Sequence, residues 1–395
     1  MTESTTIPRR HFIVGAAGTV YAGAAIAAGT GSAAADDAAL PDYVAWKEPD
    51  AFIQHSPKTL ETKRREIGSL LTPNDVLFVR NNLPSLTAEQ VGEPSAWSVA
   101  IEGVANPKSM TVAELQGLDV TQVASVLQCS GNGRGFFDHE TSGSQWLTGA
   151  AGNVMWTGVP VKSVVEALGG VAGAKSFMTG TGGEILPEGL DPLTLMVERS
   201  VPIEAHEQAI LAWALNGEPL PLAHGGPLRL VVPGYYGVNN VKHVKRLAFT
   251  EEETQAKIQQ SGYRMREVGA KGAPDQPSMF KMNVKSWVTH PLADASSGRT
   301  LINGVALGGT ETLSKIEVST DGGSSWAEAR FEGPDLGPYA WRPFVIAADL
   351  PAGTHRIASR ATTVSGAVQP EDFPPNHRGY GHNGWSAHAV DVTVS

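Results

Sequence analysis

The lone cysteine, Cys129, lies in Ser125-Val126-Leu127-Gln128-Cys129-Ser130-Gly131-Asn132-Gly133-Arg134-Gly135, where an apolar, strand-like run gives way to a polar loop rich in glycine. A thiol at a strand end, with Arg134 five residues on to favour its anionic form and glycines that let a bulky group approach the backbone, meets the conditions for a metal ligand. The alternative stands beside it: a solitary cysteine is usually a small buried hydrophobe. Arginines recur in polar loops, at Phe78-Val79-Arg80-Asn81-Asn82 and at Asn376-His377-Arg378-Gly379-Tyr380. A guanidinium forks onto a small oxyanion, so several converging on one pocket imply a compact anionic substrate, although each alone reads as a surface arginine. His224-Gly225-Gly226-Pro227-Leu228-Arg229 and Asn239-Asn240-Val241-Lys242-His243 flank a short apolar run and offer backbone and cationic groups to a phosphate or a pterin. No H-E-x-x-H, acidic-loop or C-x-x-C-H spacing occurs, which argues against zinc, calcium and an attached c-type haem.

These residues need elements to hold them. The 395 residues include 44 Gly and 26 Pro, a composition of many turns and short strands that disfavours a helical bundle. A formal charge of -10 repels phosphate backbones, so nucleic acid is not the expected partner. With one cysteine, neither an intrachain disulfide nor an iron–sulfur centre can form. Residues 1–35 read as a twin-arginine export signal: Arg9-Arg10, an uncharged Ala/Gly-rich stretch, then Ala33-Ala34-Ala35 as a cleavage site. The expectation is a periplasmic protein starting at Asp36, with no membrane anchor, because the Gly/Ala-rich stretch is weakly hydrophobic.

Residues 36–273 read as α+β. Trp97–Ile101 and Leu228–Val232 are predicted strands, and Thr157–Leu168 and Pro202–Leu215 have the spacing of short helices. A linker-like run near Lys271–Pro277 leads into residues 274–395, predicted to be all strands and turns. There, Ile316–Ser319 and Trp326–Phe331 read as a hairpin around Asp321-Gly322-Gly323, and His355–Ala361 and Ala387–Val394 as further strands. That pattern suggests an immunoglobulin-like β-sandwich.

Phe78-Val79-Arg80-Asn81, Leu127-Gln128-Cys129-Ser130-Gly131-Asn132, Trp146 with Gly149-Ala150 and Trp156, His224 to Arg229, Val231-Val232-Pro233-Gly234 and Val241-Lys242 together resemble the molybdenum-binding domain of the sulfite oxidase family. Order and spacing match over nearly all of the chain after the signal, and the C-terminal block resembles that family's dimerisation domain. The resemblance implies one molybdopterin, its molybdenum bound by the Cys129 thiolate. It implies an anion pocket from Arg80, Arg134 and Arg378, a wall from Trp146, and a tyrosine beside the metal, Tyr263, placed 21 residues after Lys242. Cofactor contacts carry over to Phe78, Arg80, Asn81, Asn82, His224, Arg229, Asn240, Val241 and Lys242. Asn82 stands where many relatives have His, and Gly133 where vertebrate members have Arg. The resemblance further implies oxidation of sulfite to sulfate by a homodimer. The haem domain of vertebrate members is missing, so electrons are expected to leave singly to a soluble c-type cytochrome. Sulfane dehydrogenation on carrier-bound sulfur, methionine sulfoxide reduction, and a cofactor-free secreted binding protein are the alternatives.

Overall fold

The computed structural model describes residues 39–395, so the expected export signal at 1–35 lies outside the described residues. The described residues 39–395 belong to one compact unit. Within the described residues the first strands are β1 (Phe52–Ser56), β2 (Thr59–Thr62), β3 (Val79–Arg80), β4 (Ser98–Glu102), β5 (Lys108–Thr111), β6 (Thr121–Gln128) and β7 (Ala151–Pro160). Next come β8 (Phe177–Gly182), β9 (Glu198–Pro202), β10 (Ile210–Leu215), β11 (Glu218–Pro219), β12 (Arg229–Val231) and β13 (Val244–Thr250). The C-terminal part holds β14 (Lys285–His290), β15 (Gly298–Leu307), β16 (Leu313–Ser319), β17 (Ala327–Glu328), β18 (Arg330–Phe331), β19 (Arg342–Leu350), β20 (Gly353–Thr363) and β21 (Val390–Val394). Helices are short: α1 (Ala88–Val91), α2 (Val112–Gln116), α3 (Val161–Ala167), α4 (Pro192–Leu195) and α5 (Trp385–His388). No helix among the described residues is long and apolar enough to cross a membrane.

Two five-stranded sheets organise the N-terminal part, one ordered β11-β10-β7-β6 with β12 also on β10, the other β5-β4-β13-β8-β9. The first is covered on both faces. Along β10, Leu211 enters one core with Val159, Leu230 and Leu247, while Ile210 and Ala212 enter another with Val154, Trp156 and Leu77. A strand buried on both faces reads as a continuous apolar run without polar alternation. This explains the error at Pro202–Leu215, read above as a helix: only a 3-10 turn, Ile203–Glu207, precedes strand β10. Thr157–Leu168 is corrected in part, since residues through Pro160 finish β7 and the helix starts at Val161. Both remaining predicted strands of this part are found, as β4 and β12.

Downstream, sheets β14-β15-β19-β18 and β17-β16-β20-β21 pack over a shared core that includes Val288, Ile302, Phe344, Ile316, Ile357 and Val392. The predicted hairpin forms, with Val318 opposite Ala327 and the turn glycines Gly322 and Gly323 at φ +72° and +96°. Its second arm is shorter than expected, because after Ala329 the chain crosses to the other sheet, where Phe331 pairs with Phe344. Helix α5 also takes the first residues of the predicted Ala387–Val394 strand. A fourth apolar cluster bridges the two parts, joining Val126, Tyr236 and Tyr263 to Trp287, Trp341 and Tyr380.

Candidate active site

Cys129 follows the last residue of β6 and is fixed on both sides. Its N–H donates to Ala150 O (2.9 Å), and its carbonyl accepts from Asn132 N (3.0 Å). The Asn132 amide donates to Gln128 Oε1 (3.0 Å) and accepts from Ala150 N (3.1 Å), closing the loop against β7. Two of the glycines here make room for the loop's own neighbours. A Cβ on Gly131 would lie 2.5 Å from Arg134 Nη2, and one on Gly133, at φ +101°, would lie 2.8 Å from His382 Cβ.

A cleft opens beside the thiol, lined by Phe78, Arg80, Asn81 and Asn82 from the β3 segment, by Cys129, by His224 and Arg229, by Asn240 and Lys242, and by Tyr263. Strand β12 holds the two polar turns together: Arg229 donates to His224 O (2.7 Å) and Asn240 O (3.1 Å), and Asn240 Oδ1 accepts from Val232 N (2.6 Å). Lys242 Nζ donates to Ala223 O (2.5 Å) and to Asn81 Oδ1. Val241 is absent from the lining. Its side chain packs in the core and its carbonyl accepts from Leu230 N (3.0 Å), so it spaces its two polar neighbours.

The electrostatics of the cleft ask for an anion. Burial, then Arg229, holds Lys242 well below the usual lysine range, and burial, then Lys47, does the same to His224. Burial pulls Arg229 down to about 9, against the opposing pull of Glu184. Cations crowded out of water with too few counter-charges are stabilised by a bound phosphate-like group. His224 Nε2 and Asn81 Nδ2 are also buried without a hydrogen-bond partner. Orphaned groups of this kind in a cationic cleft fit a polar, anionic cofactor such as a pterin phosphate. Among the described residues no cluster of three or more His, Cys, Asp or Glu could hold a metal.

A second pocket shares Arg80, Asn81, Asn82, Cys129 and Tyr263 with the cleft and adds Arg134, Trp146 and Arg378. All three predicted arginines therefore meet at the thiol. Arg134 is anchored by donation to Arg378 O (2.8 Å) and Ser144 O (3.0 Å), while Arg378 Nε is buried and unpaired. Arg80 donates to Asn82 Oδ1. Burial would lower the pKa of Arg80, yet the nearness of Tyr263, Cys129 and Tyr380 outweighs it and holds the guanidinium above its ordinary value. The charge facing the thiol is thus that of Arg80, not only Arg134 as the spacing suggested. Trp146 stands on a loop clamped by the buried Glu61 carboxylate, which accepts from Leu147 N and Gly149 N (both 2.9 Å).

Tyr263 ends a π-helical turn, Ile258–Gly262, a local geometry frequent at functional sites. Behind it the fully buried Arg199 donates to Ile258 O (3.1 Å) and Asn239 Oδ1 (3.1 Å), with its guanidinium 5.8 Å from the Tyr263 ring centroid. Sequence reading missed Arg199, Glu184, Ser130, Lys58 and Tyr380. Only Tyr380 had a signal, its place between two glycines two residues after Arg378.

Residues 86–258 match the oxidoreductase molybdopterin binding domain and residues 276–394 the Mo-co oxidoreductase dimerisation domain. Fold and site thus define a molybdopterin-type oxidoreductase. Similar proteins include mitochondrial sulfite oxidase of Rattus norvegicus, 31% identical over 82% of this chain and 62% of its own length. Another is sulfite oxidase of Gallus gallus, 30% identical over 80% of this chain and 72% of its own length. The chain belongs to the sulfite oxidase family of molybdopterin enzymes. It spans only 62% of the rat relative's length. The crystal structure of the sulfane dehydrogenase SoxCD from Paracoccus pantotrophus shares the fold, with TM-score 0.72, 24% identity and coverage of 87% of this chain and 88% of that one.

Proposed function

We propose that the protein is a sulfite dehydrogenase that oxidises sulfite to sulfate and passes electrons singly to a separate c-type cytochrome. The observation that carries this reading is the meeting of Arg80, Arg134, Arg378, Trp146 and Tyr263 in one pocket at Cys129, beside a cation-rich cleft. Molybdopterin would be held by Phe78, Arg80, Asn81, Asn82, His224, Arg229, Asn240 and Lys242, with Val241 spacing the last two, and its molybdenum by the Cys129 thiolate. Bound there, the cofactor supplies two-electron oxidation with oxygen-atom transfer, the oxygen coming from water.

The chain's own residues do the rest. Three guanidiniums neutralise and orient a small oxyanion, which mainly strengthens binding, because they hold substrate and product charge about equally. Trp146 walls the pocket and keeps the anion against the thiol side. The Tyr263 hydroxyl is a donor in the pocket whose hydrogen bond can strengthen as charge shifts during the reaction.

Around this chemistry the proposed organisation is a twin-arginine signal at 1–35, a catalytic domain at 36–273 and an immunoglobulin-like dimerisation domain at 274–395, in a periplasmic homodimer. The test is sulfite-dependent cytochrome c reduction by wild type and Cys129→Ser, with molybdenum content measured in both. Wild type with about one molybdenum per chain and activity, both lost in the serine variant, is the expected result. Activity that survives in Cys129→Ser removes the thiolate from the reaction. Turnover of carrier-bound sulfur or methionine sulfoxide in preference to free sulfite reassigns the substrate, and protein without molybdenum from a molybdenum-replete host supports a binding module.

A further inference from the structure

Tyr380 belongs to none of the roles above, yet its ring lies against three of the residues that hold them. Its ring stacks on Tyr263 with centroids 5.2 Å apart and an interplanar angle of 7°. The guanidinium carbons of Arg134 and Arg378 lie 5.4 and 5.9 Å from the same ring's centroid. Three groups expected to act on one anion therefore meet at one aromatic side chain.

The backbone leaves this ring little freedom. Asn376 clamps it, donating to Tyr380 O and accepting from Tyr380 N, both at 2.9 Å. Gly379 and Gly381 flank it at φ +59° and +73°, and Gly381 N donates to Ser130 O (2.8 Å), one residue past the thiol. By contrast the hydroxyl has only a long approach to Gly262 O, 3.5 Å. The ring is 2% exposed, and burial, then the nearby Tyr263, pushes its phenol up to about 12, so it stays neutral at working pH. A neutral ring in a fixed place attracts cations by its quadrupole and orients a second ring by stacking.

We propose that Tyr380 is a positioning residue, its ring setting both the two anion-binding guanidiniums and the plane of Tyr263. The role rests on the anion-pocket reading above and extends it to a residue that contributes its face rather than a polar group. Two guanidiniums repel one another. A shared aromatic seat keeps them convergent, which lowers the reorganisation needed when the anion arrives.

The test uses the whole cofactor-loaded protein, with sulfate affinity read from intrinsic tryptophan fluorescence and sulfite kinetics measured alongside. Tyr380→Leu is expected to weaken sulfate roughly tenfold, the scale of two partly buried cation–ring contacts. It is also expected to lower kcat, which loss of anion affinity alone would not do. Tyr380→Phe should recover most of both losses, since it keeps the ring. Pentafluorophenylalanine at position 380 keeps the shape and reverses the quadrupole, so it should weaken sulfate by a similar factor even if the leucine variant fails to fold. Sulfate affinity within twofold of wild type in the pentafluoro variant overturns the proposal, and so does a phenylalanine variant as impaired as the leucine one, which would assign the effect to the hydroxyl. A wild type inactive on sulfite defeats the proposed function alone, and the sulfate series still decides the part played by Tyr380.

Discussion

Tyr263 and Arg378 line the same pocket but should act on different kinetic constants. Tyr263 is held between Tyr380 and the buried Arg199, so a hydrogen bond from its hydroxyl can respond to charge moving in the reaction. Arg378 carries full charge before, during and after it. Tyr263→Phe is therefore expected to lower kcat by about 10- to 100-fold with little change in KM. Arg378→Ala is expected to raise KM by about 10-fold or more with a smaller loss in kcat. Steady-state kinetics on both variants check the ranking, and a larger kcat loss for the arginine reverses it. At this scale the sequence was informative wherever a residue type is scarce or chemically specialised. Cys129 and the loop arginines fall in that class, and all of them meet. Glu184 and Arg199 gave no such signal, because a carboxylate or a guanidinium acquires its role only from what burial places around it. Glu184 is pushed up by burial, and the nearby Lys242 and Arg229 pull it back, but Gly-Gly-Glu-Ile-Leu contains no spacing that announces those neighbours.

Strand β14 begins with a lysine that is buried beneath the thiol's own loop. Lys285 Nζ donates to Asn132 O (3.1 Å), and burial, then Arg64, pushes it down to about 7. Unfolded, the same side chain titrates near its ordinary value of about 10.4. Between those two values the unfolded chain binds more protons than the native one, so this group makes stability rise with pH. Below about pH 7 it is charged in both states and its burial cost is fully present. The unfolding free energy of Lys285→Met minus that of wild type should therefore fall by about 2 kcal/mol between pH 7 and pH 9. Urea denaturation at the two pH values checks this, and a difference that grows with pH contradicts it. Strands with one solvated face, such as β4 with its alternating burial, were readable from periodicity. Strand β10 was not, because two cores claim its opposite faces and remove the polar positions that mark a strand. Ala329 shows a further limit: nothing local says that one strand-like run will serve two sheets in turn.

At the scale of the molecule, a formal charge of -10 and the proposed electron route to a separate protein combine into one expectation. If the acceptor is a basic cytochrome c, attraction between opposite charges speeds their encounter, and salt screens it over a Debye length of about 8 Å at physiological ionic strength. The second-order rate constant with such a cytochrome should fall roughly tenfold on going from low salt to physiological salt, whereas ferricyanide, an anion, should show no such fall. Stopped-flow reduction at several ionic strengths makes the comparison, and a flat profile with the cytochrome removes the steering.

The two pockets at Cys129 are also encoded very differently along the gene. Every side chain that lines the cofactor cleft has been written by codon 263, whereas Arg378 and Tyr380 come from the last twenty residues of the chain. A late stop codon or a frameshift near the 3′ end would thus spare the residues that line the one and remove Arg378 and Tyr380 from the other.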